Sequence, residues 1–343
     1  MNAKFVKFVA PGKTKLVEMP VQPPGPGQIV IDAELSLISA GTERTLLKGA
    51  PEYPFSPGYS LVGHVAEIGE GVDRFQVGDR VAASATHGSM VTCNADLAFK
   101  IPSAVTFEEA AFLTVGATAL FSVRLAQLNL GDPVLIFGQG LIGLIASQIA
   151  RSAGAMPVIG VDMDEARLEL ARSLGVDHAI HGSDQEQLAK LIEQLPGGGV
   201  AASVELSGAP ATIEQAIRFT RRRGRIVAAS MNPNGHNVDI YGEAWMKGLA
   251  LVGSYINSRP WRLDCLEMYP PSDWPLNCYQ SGEFEGNDVG TTAGDTATML
   301  DLIAHDRVKV APLISDRVKA KDAPALFDRL LQADFLGAQI EWK

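Results

Sequence analysis

Cysteine is scarce in this chain: Cys93, Cys265 and Cys278 are the three in 343 residues, and no two of them form a Cys-x-x-Cys pair. This excludes a disulfide scaffold and a structural zinc lobe, and it suits a reducing compartment. Long apolar runs are missing too. The N-terminal stretch Met1-Asn2-Ala3-Lys4-Phe5-Val6-Lys7-Phe8 has no apolar core of secretory length, and no later segment is long enough to span a bilayer, so a cytoplasmic protein is expected. Positive charge is in deficit, with a formal net charge of −10. That disfavours attraction to phosphate backbones or acidic lipid surfaces, so neither nucleic acid nor membrane is expected as a partner. The one basic run, Arg221-Arg222-Arg223, stands before Gly224 and the apolar Ile226-Val227-Ala228, where the C-terminus of a helix would welcome cations.

What is present is ordinary globular material, 46% hydrophobic and 20% charged. The length exceeds what one core usually serves, and two domains are expected. Residues 1 to about 100 alternate β-rich segments (Phe5 to Phe8, Ile29 to Ala33, Val62 to Ile68, Val81 to Ala83) with turns such as Pro23-Pro24-Gly25-Pro26-Gly27 and Gly78-Asp79, which predicts a barrel-like β domain. Thr106-Phe107-Glu108-Glu109 has capping-box spacing and an Ala-rich helical stretch follows. From Val134 the pattern becomes strand, helix, strand, with strands at Val134 to Phe137, Val158 to Val161, Val200 to Leu206, Gly224 to Ala229 and Leu249 to Tyr255, and helices at Leu141 to Ser152 and Arg167 to Leu174. Continuous apolar strands separated by helices imply a parallel sheet covered on both faces. An irregular aromatic-rich stretch, Arg259 to about Thr296, precedes a helix near Ala297 to His305 and a closing strand near Ala338 to Trp342.

Gly138-Gln139-Gly140-Leu141-Ile142-Gly143 places a Gly-x-Gly-x-x-Gly directly after a buried strand and at the start of a helix. Gly138 permits the tight turn, Gly140 the close approach of a pyrophosphate and Gly143 the packing of helix on strand. The second strand ends at Asp162, 19 residues beyond Gly143, where a carboxylate can accept from an adenosine ribose. That carboxylate would repel a 2′-phosphate, so NAD is expected rather than NADP. Arg167 could lie against the adenine, reach a phosphate, or be a solvated helix residue. Ser207-Gly208 and Ser230-Met231 follow later strands at the carboxyl edge of the sheet, where they read either as ligand contacts or as ordinary turns.

Pro57-Gly58-Tyr59-Ser60-Leu61-Val62-Gly63, Gly69-Glu70-Gly71-Val72 and Gly78-Asp79-Arg80-Val81, followed by the nucleotide fold, resemble the medium-chain dehydrogenase/reductase superfamily over almost the whole chain. The resemblance implies a GroES-like β-barrel catalytic domain over 1–124, a Rossmann domain with a doubly wound parallel sheet over 125–256, and a return to the catalytic domain over 257–343. It also implies a cofactor site of Gly138, Gly140, Leu141, Ile142, Gly143, Asp162, Arg167, Ser207, Gly208, Ser230, Met231 and Thr118.

Where zinc-dependent members carry a ligand cysteine this chain has Ala40 in Ala40-Gly41-Thr42-Glu43, and their Gly-His-Glu becomes Gly58-Tyr59-Ser60. The region Ala111 to Thr114 offers no third ligand, so no metal is expected. The chain is similar to a zinc-lacking subgroup that includes bacteriochlorophyllide dehydrogenase-like proteins and oxidoreductases of sugar and polysaccharide biosynthesis.

Without zinc another group must manage the hydroxyl proton. Tyr59, in the place of the ligand histidine, should face the cleft between domains. It is a candidate acid/base if its pKa is lowered, or a pocket-filling aromatic. His87 is the easier base chemically, or else an idle histidine on a surface loop. Thr42 matches the family's proton-relaying hydroxyl. Glu43 either hydrogen-bonds Tyr59 or a substrate, or pairs with Arg44 or another cation. His64, inside a strand, reads as structural. The leading expectation is zinc-independent, reversible hydride transfer between NAD and a secondary alcohol of a polyol, cyclitol or sugar derivative. The alternatives are an NAD(P)H-dependent enone or quinone reductase and a non-catalytic NAD-binding protein. The apolar strand Leu249 to Tyr255 would leave an open sheet edge, from which a homodimer or a dimer-based homo-oligomer is expected.

Overall fold

The computed structural model describes residues 2–50, 52–231, 238–258, 291–332 and 335–343. Trp261, Tyr269, Trp274 and Tyr279 of the aromatic-rich stretch, which could line a binding pocket or equally bury a dimer contact, lie outside the described residues. The chain divides into two compact units, one of Met1–Val115, Leu300–Asp306 and Val310–Lys343, the other of Gly116–Met299 and Arg307–Lys309.

The first unit opens with an antiparallel hairpin, β1 (Asn2–Ala10) and β2 (Lys13–Pro20). Its spine is β3 (Gln28–Ser39), twelve residues rich in Ile, Val and Leu. β3 pairs antiparallel with β4 (Leu61–Ile68) on one side and with the closing strand Gly337–Glu341 on the other. β5 (Arg80–Ala83), β6 (Met90–Asn94) and β7 (Ala98–Lys100) complete the sheet, with β6 also on β3 and with Ile314–Lys319 beyond the closing strand. Ile29, Ile31 and Ala33 pack with Leu61, Val65, Val81 and Val91 in one core. Ile38 joins Phe8, Leu47, Phe327 and Ile340 in another.

The helix Ala40–Gly49 starts at the last residue of β3 and turns Ala40, Glu43 and Leu47 inward. Spacing of three and four puts these on one stripe, so a carboxylate is carried into the interior with the apolar residues. The expected capping box is formed: the Thr106 hydroxyl accepts from the Glu109 amide at 3.2 Å and the Glu109 carboxylate from the Thr106 amide at 3.0 Å.

The second unit is built on β8 (Val134–Phe137), β9 (Val158–Asp162), β10 (His178–His181), β11 (Val200–Glu205), β12 (Thr220–Ala228) and β13 (Ala250–Gly253). All pairs are parallel and the spatial order is β10-β9-β8-β11-β12-β13. The chain winds outward from β8 to β10, then restarts on the other side of β8 with β11. Ligands bind such sheets at that switch point, outside the carboxyl ends of the strands. The fold is thus α/β, a GroES-like unit with a parallel Rossmann sheet. β12 starts earlier than expected and absorbs the basic run: Arg221 pairs with Asp132 at 2.9 Å and Arg222 donates to the Met246 carbonyl. Among the described residues no helix is long and apolar enough to cross a membrane.

Candidate active site

The glycine turn sits at the switch point. Gly138 has φ +89°, and an added Cβ would stand 2.8 Å from the Ser207 amide nitrogen, so the turn after β8 closes directly on the turn after β11. A Cβ on Gly143 would overlap the Gly138 carbonyl. Gly140 caps the helix Leu141–Ser152, and the nearest atom to an added Cβ is Nη1 of Arg167 at 3.8 Å. Its outer face is therefore open. The amides of Leu141, Ile142 and Gly143 belong to the helix's first turn, which has no acceptors of its own and carries the positive dipole end.

Asp162 ends β9 with both oxygens anchored. Oδ2 accepts from the Gln139 amide at 2.6 Å and Oδ1 from the Asp164 amide at 3.0 Å. Arg167 lies between two carboxylates, 4.0 Å from Asp162 and 3.9 Å from Asp164. It is held beside Gly140 rather than extended into solvent.

The Ser207 and Ser230 turns are organised by a residue whose role the sequence does not announce, Glu205. It is buried at the end of β11, and its Oε1 accepts from the Ser207 amide (2.8 Å), the Ser207 hydroxyl (2.6 Å), the Gly208 amide (3.0 Å) and the Thr212 hydroxyl (2.9 Å). The Ser230 hydroxyl donates to Oε2. Gly208, at φ +70°, lies against the Met231 carbonyl, while the Met231 side chain is exposed. Thr118 is half-buried on the helix Leu113–Leu125, its carbonyl accepting from Ser122.

In the first unit the structure brings Thr42, Glu43, Tyr59 and His87 together. His87 is fully buried, contrary to the surface-loop reading, because both ring nitrogens have partners drawn from distant sequence. Nε2 lies 2.8 Å from Glu43 Oε2 and Nδ1 lies 2.8 Å from Ser36 Oγ. Glu43 Oε1 accepts from the Ser39 amide at 2.8 Å, so its partners are Ser39 and His87 rather than Arg44. The indole of Trp342 donates to Ser36 Oγ at 3.0 Å. A carboxylate only accepts, so Nε2 donates to Glu43, and the Trp342 indole, which only donates, donates to Ser36 Oγ.

Gly58, at φ +99°, makes room for this ring, since a Cβ there would be 2.7 Å from the imidazole. Tyr59 follows. Burial and then the negative charge of Glu43 raise its phenol above the usual value near 10, outweighing hydrogen bonds from Ser39 and Thr42. The direction is opposite to the lowering a phenolate base would need. The backbone is fixed by the Thr114 hydroxyl, which donates to the Tyr59 carbonyl at 2.7 Å. His64 stands apart, 3.4 Å from Glu34 and edge-on to Phe107.

A catalytic metal would need about three donors. Glu43 and His87 are the metal-competent groups beside Tyr59, and each is committed to the other. Among the described residues no three His, Cys, Asp or Glu side chains are gathered as a ligand set. The residues here do not fit zinc.

Comparison with known proteins agrees with this architecture. The family described as alcohol dehydrogenase GroES-like domain matches residues 25–121, and the family described as zinc-binding dehydrogenase matches residues 142–269. (R,R)-butanediol dehydrogenase of Bacillus subtilis is 31% identical over 54% of this chain and 61% of that enzyme. L-threonine 3-dehydrogenase of Idiomarina loihiensis is 31% identical over 59% of this chain and 67% of that enzyme. The crystal structure of galactitol-1-phosphate dehydrogenase from Escherichia coli superposes with a TM-score of 0.82 at 20% identity, covering 98% of this chain and 99% of the other. With two family matches in the expected order along one chain, and with the fold and the glycine turn agreeing, the protein belongs to the zinc-type alcohol dehydrogenase family of the medium-chain dehydrogenase/reductase superfamily.

Proposed function

We propose that this protein is an NAD-dependent oxidoreductase that transfers a hydride between the nicotinamide and a secondary alcohol or ketone of a polyol, cyclitol or sugar derivative, without a catalytic metal. The observation that carries the reading is the presence of two prepared groups in one chain: in one unit a dinucleotide turn with an anchored acceptor at Asp162, and in the other a half-buried tyrosine, Tyr59, beside the Glu43 carboxylate. The relatives' names support the substrate class, being dehydrogenases of a diol, a hydroxy amino acid and a sugar-alcohol phosphate.

When bound, the cofactor supplies the hydride donor or acceptor. Gly138, Gly140 and the first-turn amides of Leu141, Ile142 and Gly143 would hold its pyrophosphate. Asp162 would accept from the adenosine ribose and repel a 2′-phosphate. Arg167, Ser207, Gly208, Ser230, Met231 and Thr118 would supply the remaining contacts.

Tyr59 acts as a neutral acid, donating to the substrate oxygen. In reduction it gives its proton to the substrate oxygen as the alcohol forms and takes a replacement from solvent water through the hydroxyl of Thr42 or Ser39. In oxidation it receives the alcohol's proton while its own passes through the same hydroxyls to solvent water, so free phenolate does not accumulate in either direction. Glu43 disfavours that phenolate, and His87 holds Glu43 in place. We also infer a homodimer through β13, one of the two terminal strands of this sheet among the described residues, where Leu251 and the following Tyr255 are exposed apolar side chains.

Metal analysis with native mass spectrometry, fluorescence titration of NADH and NADPH, and a turnover screen of polyols, sugars and enones test this reading. The expected result is metal-free protein that binds NADH more tightly, oxidises a polyol, and loses roughly 100-fold or more in kcat on Tyr59→Phe. Stoichiometric zinc whose removal abolishes turnover would overturn it, as would a preference for NADPH with enone reduction.

A further inference from the structure

A glycine inside a strand weakens it and marks a place where another group approaches closely. Gly160 is such a residue, central in β9, paired with Ile136 on one side and Ala179 on the other. The group that needs the space is the side-chain amide of Gln139: a Cβ on Gly160 would be 2.8 Å from its Cδ, 3.0 Å from Nε2 and 3.2 Å from Oε1. Gln139 is the first variable residue of the glycine turn, yet it is completely buried. Its side chain reaches behind the turn, donating to the Ile136 carbonyl at 3.2 Å and accepting from Ser147 Oγ at 3.1 Å. Ser147 is itself buried, on the helix that follows the turn. One amide thus ties β8 to that helix and lies flat on β9. The backbone N–H of the same residue makes the 2.6 Å bond to Asp162 Oδ2.

We propose that Gln139 is a positioning residue for cofactor recognition: its buried side chain clamps the turn on the bare backbone at Gly160, so that its amide holds the Asp162 carboxylate in the one orientation that favours a free ribose hydroxyl over a 2′-phosphate. The inference rests on the dinucleotide reading of this site. Two carboxylate oxygens offer about four lone-pair directions, and the amides of Gln139 and Asp164 take two. The others remain for ligand hydroxyls. A carboxylate free to rotate would lose that alignment, and it would also swing more easily away from a phosphate. Loosening the clamp therefore weakens NADH binding more than NADPH binding.

The test is a cycle on the full-length protein, with dissociation constants for NADH and NADPH measured by fluorescence titration for the wild type, Gly160→Ala, Gln139→Ala, the double variant and Ser147→Ala. Gly160→Ala forces the amide off the strand, and NADH affinity is expected to fall on the order of tenfold, about the worth of one aligned hydrogen bond to a charged group. NADPH affinity falls less, so the ratio between the two narrows. Gln139→Ala behaves similarly, and adding Gly160→Ala to it costs nothing more, because the new methyl enters space the amide has left. Ser147→Ala, which adds no atoms and covers the case in which Gly160→Ala does not fold, narrows the ratio in the same direction by a smaller factor. An unchanged ratio in Gly160→Ala and Ser147→Ala, or full additivity in the double variant, overturns the proposal while leaving the dinucleotide site standing. A wild type that binds neither nucleotide overturns both.

Discussion

Glu205 offers a sharp test of how the second unit builds its ligand edge. Five donor groups converge on one buried carboxylate, four on Oε1 and one on Oε2. In Glu205→Gln the amide oxygen takes the crowded Oε1 position and the NH2 group faces Ser230, whose hydroxyl turns round to accept. Every bond is kept and only the charge assistance is lost. Bonds to charged groups are worth about 1.5–3 kcal/mol against about 1 for neutral ones, and losses among neighbours are not additive, so the net cost is about 1–2 kcal/mol. In Glu205→Ala the Ser207 and Gly208 amides and the Ser230 hydroxyl lose this acceptor together, while the Thr212 hydroxyl keeps the Ala209 carbonyl and the Ser207 hydroxyl keeps Thr212 Oγ1. A buried donor left without an acceptor costs about 1–3 kcal/mol, so the total is about 3 kcal/mol, held down because Ser207 is exposed and water can reach it.

The loss should also be local. Gly138 packs on the Ser207 amide, so a relaxed Ser207 turn loosens the glycine turn with it. Urea unfolding followed by circular dichroism measures the first effect, and hydrogen exchange over 205–212 with NADH titration measures the second. The reasoning fails if Glu205→Ala unfolds within 1 kcal/mol of wild type, or if it is milder than Glu205→Gln.

Tyr59 carries a pH signature. With a folded pKa above the unfolded value near 10, both states hold the proton below pH 10; above it the unfolded chain releases the proton while the folded one keeps it, so stability falls as pH rises. Wild type should therefore lose stability relative to Tyr59→Phe only above about pH 10, and a difference that opens at lower pH would contradict the assignment. Cys93 is buried, and burial pushes its thiol up to about 12, so iodoacetamide at pH 8 should leave it unmodified in native protein and alkylate it in urea, read by peptide mass mapping. Native alkylation would mean the β6 core opens. Leu251→Lys places a charge on the exposed edge of β13 and should convert a dimer to a monomer by light scattering; an unchanged mass rejects that interface.

The parts of the fold that are legible in the sequence are those written locally. The turn Gly138 to Gly143, Asp162 nineteen residues on and the apolar strands before each of them are set by backbone sterics and burial within one βαβ unit, and they stand where the periodicity places them. The capping box at Thr106 is legible for the same reason. β2 is harder: Lys13-Thr14-Lys15-Leu16-Val17-Glu18-Met19-Pro20 lies largely at the surface and has little apolar alternation to read. The helix Ala40–Gly49 begins beside one glycine and ends in another, which hides a stripe that includes a buried glutamate. The signal that could expose Gln139 is indirect, namely a glycine at position 160 in a strand that otherwise favours branched residues.

His87 shows why sites resist such reading more than folds do. Its neighbours Ala85, Thr86, Gly88 and Ser89 have the composition of a surface loop, and nothing within ten residues supplies a partner for an imidazole. Its partners come from 51 and 44 positions away, and the indole that completes the chain of bonds is 306 positions from Ser36. A buried polar group is tolerable only when all its partners arrive together, and they arrive only once β3, the helix after it and the last strand have assembled. Each residue alone therefore looks idle, while the set holds the imidazole and the Glu43 carboxylate in one orientation. The same dependence explains Tyr59. Its chemistry as a free side chain suggests a base in need of a lowered pKa, whereas burial first, and then the Glu43 carboxylate, raise that pKa, which suits the proton-donor role proposed above.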